Sequence, residues 1–368
     1  MNIQNRRWQS IWLDDGECSV SVIDQTKLPY LFTTRSLKNC HEVVEAIQSM
    51  VVRGAPLIGV AGSFGLMLAL QVDPSDKALA NAFVALHAAR PTAVNLFWAL
   101  DRIRRLVTPL PFLDRAEAAK KEAILIANED ISMCEAIGNY GMKILQDLAN
   151  AKTSKGQEEP LRVLTHCNAG WLATVDWGTA LAPIYKAHRA GLNLHVWVDE
   201  TRPLNQGASL TAYELACEGI PHTVIVDNAG GHLMQQGQVD AVIVGTDRTT
   251  KHGDVCNKIG TYLKALAAKD NGVPFFVALP SSTIDWSIND ALSEIPIEVR
   301  SPIEVTHLKG LLKKTTNNLE EALIQVVPDG SPAFNPAFDI TPARLVTALI
   351  TDRGIVAANE AGLKTLTT

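Results

Sequence analysis

Cysteines are few in this sequence and show no pairing pattern. The six of them stand at positions 18, 40, 134, 167, 217 and 256, and no C-x-x-C pair occurs. The disulfide framework of a small secreted protein is dense, and its cysteines are regularly spaced. We therefore expect reduced thiols in a cytoplasmic protein.

Positive charge is also scarce. The 368 residues include 33 lysines and arginines against 39 acidic residues, a net charge of −6, and no basic run of five occurs. Domains that bind nucleic acid through its phosphates usually present a basic face, so we expect no nucleic-acid partner. The length predicts two domains, and 47% hydrophobic residues are typical of a folded protein.

Long hydrophobic runs are limited to one segment. Met1 to Ser10 is polar and does not indicate a secretory signal, whereas Ala55 to Val72 contains no charged residue. The latter carries glycines at positions 59, 62 and 65, and small residues at this spacing let a helix pack closely against its neighbours. We expect a buried helix here and no membrane span.

The N-terminal part predicts a smaller, mainly helical domain over residues 1–150. Short alternating runs near residues 10–13 and 20–23 indicate a small antiparallel sheet. Three amphipathic segments follow, at residues 36–50, 93–107 and 115–148. Asn150 to Pro160 is polar and rich in helix breakers, which predicts a linker.

The C-terminal part, residues 161–368, has a different rhythm. Short apolar runs recur at residues 162–166, 194–198, 222–226, 241–244 and 274–278. Segments of helical length, such as Thr174 to Ala190 and Ser209 to Glu218, separate most of them. This alternation predicts an α/β fold with a Rossmann-like, mostly parallel sheet. No G-x-G-x-x-G follows the first strand, so a dinucleotide cofactor is not indicated.

Two reactive residues follow predicted strands. Cys167 comes after an apolar run and precedes the turn-forming Asn168-Ala169-Gly170, and Asp247 follows the most apolar run of all. Ligands of open α/β sheets bind beyond the carboxyl ends of the strands. A buried structural thiol and a helix-capping aspartate are the alternatives. A metal site through His166 and Cys167 is disfavoured, because neighbouring strand residues point to opposite faces.

The residues after Asp247 predict a binding loop. Residues 248–258 are too polar and too long for a simple connection, and they end in Asn257 and Lys258, an amide and a cation suited to an anionic group. Apolar walls raise the pKa of a carboxylate, as a general acid at neutral pH requires.

Two arginines are placed to bind phosphate. Arg53-Gly54-Ala55-Pro56 predicts a glycine turn into a helix start, and Arg90-Pro91 precedes another predicted helix. Helix N-termini and guanidinium groups are common phosphate ligands. Residues 199–208 predict a further polar loop, in which Gln206 is best placed for a sugar hydroxyl, whereas Asp227 is equally suited to capping a helix.

In combination these motifs resemble the methylthioribose-1-phosphate isomerases, which share a superfamily with the regulatory α, β and δ subunits of the translation-initiation guanine-nucleotide exchange factor. The resemblance covers nearly the whole chain, and its motifs lie at residues 53–56, 90–92, 165–170, 199–203, 245–248, 253–262 and 335–339. It implies an aldose–ketose isomerase of methionine salvage, homodimeric and without a metal or organic cofactor. Asp247 would be the catalytic acid/base and Cys167 would assist the transition state. The substrate and its phosphate would be bound by Arg53, Gly54, Ala55, Arg90, Gln206, Asn257 and Lys258.

Several points stay open on the sequence alone. The hydrogen can move from C2 to C1 as a proton through an enediol, with Cys167 as the base, or as a hydride, with Cys167 as a polarising donor. Residues near the site depart from the usual pattern, Trp171 and Asn205 among them. A 5-deoxyribose 1-phosphate isomerase is therefore an alternative, and a non-catalytic subunit that senses a sugar phosphate or nucleotide is another.

Overall fold

The computed structural model describes residues 2–3, 6–16, 19–91, 93–157, 159–315 and 318–367. Cys18, Thr92 and Glu158, the last two from the predicted phosphate motif and linker, lie outside the described residues. The helices are α1 (Cys40–Gln48), α2 (Ala55–Val72), α3 (Asp76–Ala89), α4 (Val94–Val107), α5 (Phe112–Thr153), α6 (Ala182–Arg189), α7 (Ala212–Cys217), α8 (Ala229–Gln235), α9 (Thr261–Asp270), α10 (Ala291–Glu294), α11 (Ile303–Thr306) and α12 (Glu360–Lys364).

Within the described residues, the strands form five sheets. They are β1 (Asn2–Ile3), β2 (Arg6–Arg7), β3 (Ile11–Leu13), β4 (Val20–Ile23), β5 (Thr34–Leu37), β6 (Leu161–Thr165), β7 (Leu194–Asp199), β8 (His222–Ile225), β9 (Ala241–Val244), β10 (Arg248–Thr250), β11 (Val255–Lys258), β12 (Phe275–Leu279), β13 (Ile284–Asp285), β14 (His307–Thr315), β15 (Asn318–Gln325), β16 (Phe338–Thr341), β17 (Ala348–Thr351) and β18 (Gly354–Val356). The predicted small antiparallel sheet is present as β3–β4–β5.

Helix α2 is the centre of the N-terminal part. By length and composition it is the one described helix that could cross a membrane, but 83% of it is buried inside the protein. A Cβ at Gly59 would lie 2.7 Å from the carbonyl oxygen of Asn95 on α4, so glycine is needed for this close packing. The helix is buried, as predicted, and its apolar length is explained by the core it forms.

Helix α5 is 42 residues long and joins the two parts of the chain. Its first half supplies Ala119 and Ala123 to the core around α2, and its second half supplies Ile137 and Leu145 to the core beneath the large sheet. It ends at Thr153, so the first four residues of the predicted linker form its last turn.

The large sheet has seven strands in the order β18-β17-β12-β9-β6-β7-β8. Adjacent strands run parallel, except that β18 is antiparallel to β17. The Rossmann-like, mostly parallel fold is thus confirmed, and all five predicted strands are present within one residue of their predicted bounds. The order reverses at β6, because β7 and β8 extend to one side and β9, β12 and β17 to the other. Such a reversal opens a crevice beyond the strand ends.

Two local predictions were wrong. Residues 174–190 contain a helix only over Ala182–Arg189, because residues 174–181 form turns around a left-handed Trp177, φ 71°. Residues 248–258 are not a loop but the hairpin β10–β11, which belongs to a mixed four-stranded sheet, β13-β10-β11-β16. Their polar side chains concealed strands that owe their pairing to tertiary contacts.

Asp130 on α5 provides a test of the contact between this helix and the segment around Val175. Its buried carboxylate accepts a hydrogen bond from the backbone N–H of Val175 at 2.7 Å, and burial raises its pKa to about 7. The folded state therefore binds this proton more tightly than the unfolded state does. Stability from it is complete at low pH and is lost as the pH rises from about 4 to 7. Between about pH 4 and 7, we expect the unfolding free energy of Asp130→Asn to fall by less than that of wild type, and the difference should be on the order of 3 kcal/mol. Urea titrations of both proteins at the two pH values measure it.

The exposed Asp147 on the same helix supplies the control, Asp147→Asn, which should keep the wild-type pH dependence. An equal fall in wild type and Asp130→Asn would contradict the assignment.

Candidate active site

The pocket begins at the N-terminus of α2. Gly54 precedes the helix with φ 98°, and a Cβ there would lie 2.5 Å from the Cα of Ala173, so only glycine fits. No side chain caps this end of the helix, and its first turn contains no acidic residue. The backbone N–H groups of the first turn are therefore free to bind an anion.

Arg53 is held beside this helix end. Its buried guanidinium donates hydrogen bonds to Asn168, to the side-chain Oδ1 and, at 2.6 Å, to the backbone oxygen. Burial lowers the pKa of Arg53, and the negative charge of the nearby acidic groups opposes this. The arginine is thus fixed by the loop that carries Cys167.

Glu214 of α7 fixes the loop that follows Cys167. Its carboxylate accepts hydrogen bonds from the side chain of Asn168 at 2.8 Å, from the backbone N–H groups of Trp171 and Leu172, and from the hydroxyl of Tyr185. Burial raises the pKa of Glu214 to about 7 despite these donors. The hydrogen bonds of Asn168 and of the following backbone therefore fix the Asn-Ala-Gly turn where it lines the pocket.

Cys167 follows the end of β6. Its backbone is left-handed, φ 64°, and its N–H donates to the hydroxyl of Thr201 at 2.8 Å. The thiol lies 3.4 Å from Oε1 of Gln206, to which it donates. Burial raises the pKa of the thiol, and the positive charges of Arg53 and Lys258 oppose this shift. The raised pKa favours the neutral thiol, which is the form that donates to Gln206.

Asp247 lies beyond the end of β9, the strand beside β6. Its backbone N–H donates to the carbonyl of Cys256 at 3.0 Å, which ties it to β11. The residue is partly exposed to the pocket, and desolvation by the surrounding protein raises the pKa of its carboxyl group. The cations Lys258, Arg90 and Arg53 oppose the shift without cancelling it. The carboxyl group of Asp247 therefore stays protonated to a higher pH than that of an ordinary aspartic acid.

Asn257 and Lys258 reach the pocket from β11. The amide of Asn257 donates to the hydroxyl of Thr261 at 3.1 Å, and the ammonium of Lys258 lies 4.6 Å from the centre of the Phe338 ring. Desolvation lowers the pKa of Lys258. Strand pairing with β16 fixes both residues, which explains how a polar segment holds a precise position.

Arg90 comes from the N-terminal part, between two helices. It lies directly after the end of α3, and the helix predicted to follow it, α4, begins at Val94, within one residue of the prediction. Its guanidinium lies 3.1 Å from the sulfur of Met50 and 3.5 Å from a carboxylate oxygen of Glu298. Arg90 therefore spans from the helical part to the C-terminal part across the pocket.

All nine residues predicted from the sequence line one pocket: Arg53, Gly54, Ala55, Arg90, Cys167, Gln206, Asp247, Asn257 and Lys258. Sequence reasoning missed Arg300, which also lines it and is held by Glu298 and Glu304 at 3.0 and 2.6 Å. Arg300 follows no predicted strand. Its place depends on a backbone hydrogen bond to Asn335, so no local signal marked it.

His166, Asp199 and Asp227 form a cluster beside the pocket whose donor atoms could together hold a metal ion. His166 contacts Asp199 at 2.9 Å and the carbonyl of Ile259 at the same distance. The ammonium of Lys264 lies 3.1 Å from Asp199 and also donates to the backbone oxygen of Asp227. Since a lysine already neutralises the buried carboxylate, we interpret the cluster as an ion-pair network. Asp227 caps the backbone N–H groups of residues 201 and 202, a structural role.

Comparison with known proteins agrees with this geometry. The model of the initiation factor 2 subunit family matches residues 51–358. A methylthioribose-1-phosphate isomerase from Methylocella silvestris is 56% identical over 363 residues, which are 99% of this chain and 97% of that protein.

Two solved structures are similar over nearly the whole chain. The 5-methylthioribose 1-phosphate isomerase from Pyrococcus horikoshii OT3 has a TM-score of 0.82 and 39% identity, covering 98% of this chain and 96% of that one. The delta subunit of translation initiation factor eIF-2B from A. fulgidus has a TM-score of 0.78 and 38% identity, covering 98% and 100%.

Fold and site thus define an α/β protein with a cation-rich pocket between a helical part and the strand ends of a Rossmann-like sheet. The chain belongs to the methylthioribose-1-phosphate isomerases of the initiation factor 2 subunit family.

Proposed function

We propose that this protein converts 5-methylthioribose 1-phosphate into 5-methylthioribulose 1-phosphate in methionine salvage, with Asp247 as the acid/base. The composition of the pocket is the observation that supports these roles. One carboxyl group with a raised pKa, one neutral thiol and a helix N-terminus with several cations face the same space. Each is a part that this reaction requires.

The acid answers the main difficulty of the reaction. A phosphate on the anomeric oxygen prevents the sugar ring from opening spontaneously, so no free aldehyde is available. The ring oxygen must be protonated at neutral pH. Asp247 lies three residues beyond an entirely buried strand, and desolvation raises the pKa of its carboxyl group, which favours the protonated form that this step needs.

The phosphate has a matching site. The free N–H groups at the start of α2 and the guanidinium of Arg53 face the pocket, and Lys258 and Arg90 add positive charge. These groups come from both parts of the chain. We propose that the phosphate holds the two parts together around the substrate.

Cys167 is proposed as a hydrogen-bond donor. A base in an enediol route would have to be a thiolate, but burial raises the pKa of this thiol. Once Asp247 has given its proton to the ring oxygen, its carboxylate takes the proton of the C2 hydroxyl as hydride moves from C2 to C1. The neutral S–H of Cys167 donates to the C2 oxygen, where negative charge develops in this step. The donor role therefore favours the hydride route.

The cellular setting follows the same proposal. We place the enzyme in the cytoplasm as a homodimer, with acid–base groups of the chain carrying the chemistry. The five described cysteines are free thiols, which supports a reducing compartment.

A non-catalytic regulatory subunit is the second candidate, because the A. fulgidus protein named as the delta subunit of translation initiation factor eIF-2B is 38% identical to this chain. The two candidates differ in turnover. Wild-type protein should convert methylthioribose 1-phosphate to the ketose, with kcat/KM at least as high as for 5-deoxyribose 1-phosphate. Tight binding without turnover of any ribose 1-phosphate would favour the regulatory subunit.

Arg90→Ala should raise KM for methylthioribose 1-phosphate about 10- to 100-fold and change kcat by less than about threefold. Arg90 supplies charge to the phosphate and does not approach the reacting carbons, so it contributes binding that is equal in ground and transition states. Steady-state kinetics measure both constants. Arg105→Ala, whose side chain is 80% exposed on α4, is the matched control and should behave like wild type. Unchanged KM and kcat in Arg90→Ala would remove Arg90 from the phosphate site.

A further inference from the structure

A second cavity adjoins the active-site pocket. Its volume is about 500 Å³, and many of the side chains that line it are apolar. We call it the apolar chamber and define it by Leu28, Tyr30, Met50, Leu204, Leu210 and Leu323. It lies between the N-terminal segment around Tyr30, the loop that precedes α7, and the hairpin β14–β15.

The chamber and the pocket share a wall of four residues, Met50, Arg53, Gln206 and Arg300, which line both. Gln206 is the residue whose side chain accepts from the thiol of Cys167. Only the side chain of Gln206 therefore separates the chamber from the thiol of Cys167, which we place at the reacting carbons. A part of the substrate that extended between Gln206 and Met50 would reach this chamber.

The substituent at C5 is the part that extends furthest from the anomeric phosphate. In the proposed function, the phosphate is bound by the α2 N-terminus and its cations, and C1 and C2 are placed near Asp247 and Cys167. C5 is at the opposite end of the sugar. We propose that the apolar chamber receives the C5 substituent, and that the protein isomerises 5-alkylthioribose 1-phosphates with chains longer than methyl. This inference rests on the proposed function and names its substrate class.

The chamber walls favour an alkylthio chain over a polar group. Tyr30, Leu204 and Leu323 are 43%, 37% and 60% exposed, so an apolar chain would remove their surfaces from water. Charged side chains also line the chamber, Glu304 together with the cations Arg53, Arg300 and Lys309, so the preference for an alkyl chain rests on the apolar surfaces alone. A methylthio group fills only a small part of the space, so chain length is not limited at methyl.

The test compares 5-methylthio-, 5-butylthio- and 5-deoxyribose 1-phosphate as substrates. Each buried methylene contributes about fourfold in affinity. Wild type should therefore show a KM for the butylthio compound at least about fourfold below that for the methylthio compound, with similar kcat. Leu204→Trp narrows the chamber. It should lower kcat/KM for the butylthio substrate by at least about tenfold and for the methylthio substrate by less than about threefold.

Two further variants complete the design. Leu323→Trp narrows the chamber from the hairpin side and should repeat the pattern of Leu204→Trp if that variant folds poorly. Leu113→Trp, at a position that is 94% exposed on α5, is the matched control and should discriminate as wild type does.

The outcomes separate the two proposals. Absence of methylthioribose 1-phosphate turnover in wild type overturns the proposed function and the inference with it. If wild type turns over methylthioribose 1-phosphate normally, two results overturn the inference alone. One is a kcat/KM for the butylthio substrate more than about tenfold below that for the methylthio substrate, and the other is an equal reduction of kcat/KM for all three substrates in both tryptophan variants. Loss confined to the long chain supports it.

Discussion

Asp247→Asn is expected to lower kcat about 10²- to 10⁴-fold while KM changes little. Asparagine is isosteric with aspartic acid and keeps the backbone bond to Cys256, but it cannot give a proton to the ring oxygen. General acid catalysis by one side chain contributes a factor of this size. Steady-state kinetics with methylthioribose 1-phosphate measure both constants.

The pH dependence should carry the same signature. Because the carboxyl pKa is raised, the active protonated form persists to a higher pH than for an ordinary aspartate. The activity of the wild type should fall as the pH rises through this pKa, and Asp247→Asn should lose this limb. Asp270→Asn, at the exposed end of α9, is the control and should match wild type. Asp247→Asn with kcat within about tenfold of wild type would show that another group is the acid.

Cys167→Ala is expected to lower kcat about 10²- to 10³-fold, the usual effect of removing one donor to a developing oxyanion. Cys167→Ser keeps an O–H donor and should recover at least about tenfold of this loss. With substrate deuterated at C2, the donor role predicts that the label is retained at C1 of the product, because hydride moves directly. Mass spectrometry of the ketose measures retention.

A base role for Cys167 has the opposite result on both measurements. Serine would be as inactive as alanine, because its hydroxyl is a far weaker base than a thiolate. The deuterium would appear in solvent. Either finding would restore the enediol route, whereas label retention together with serine rescue would exclude it.

Part of the fold was accessible from the sequence because its signals are local. Five short apolar runs predicted five of the six parallel strands within a residue, since most of these strands are buried and carry their hydrophobic pattern in consecutive positions. The uncharged run of α2 predicted its burial in the same way. Residues 248–258 failed because β10 and β11 are short and polar, and their partners β13 and β16 come from distant parts of the chain.

The sequence by itself determined which residues could do chemistry. Cys167 and Asp247 each follow a strand, and Arg53 and Gly54 precede a helix, so their positions are consequences of short-range rules. Only the tertiary structure decided what surrounds them. It placed Arg300 in the pocket, gave Asn168 and Glu214 the task of supporting the loop, and opened the apolar chamber behind Gln206. These features depend on contacts between segments far apart in the chain, which no local pattern encodes.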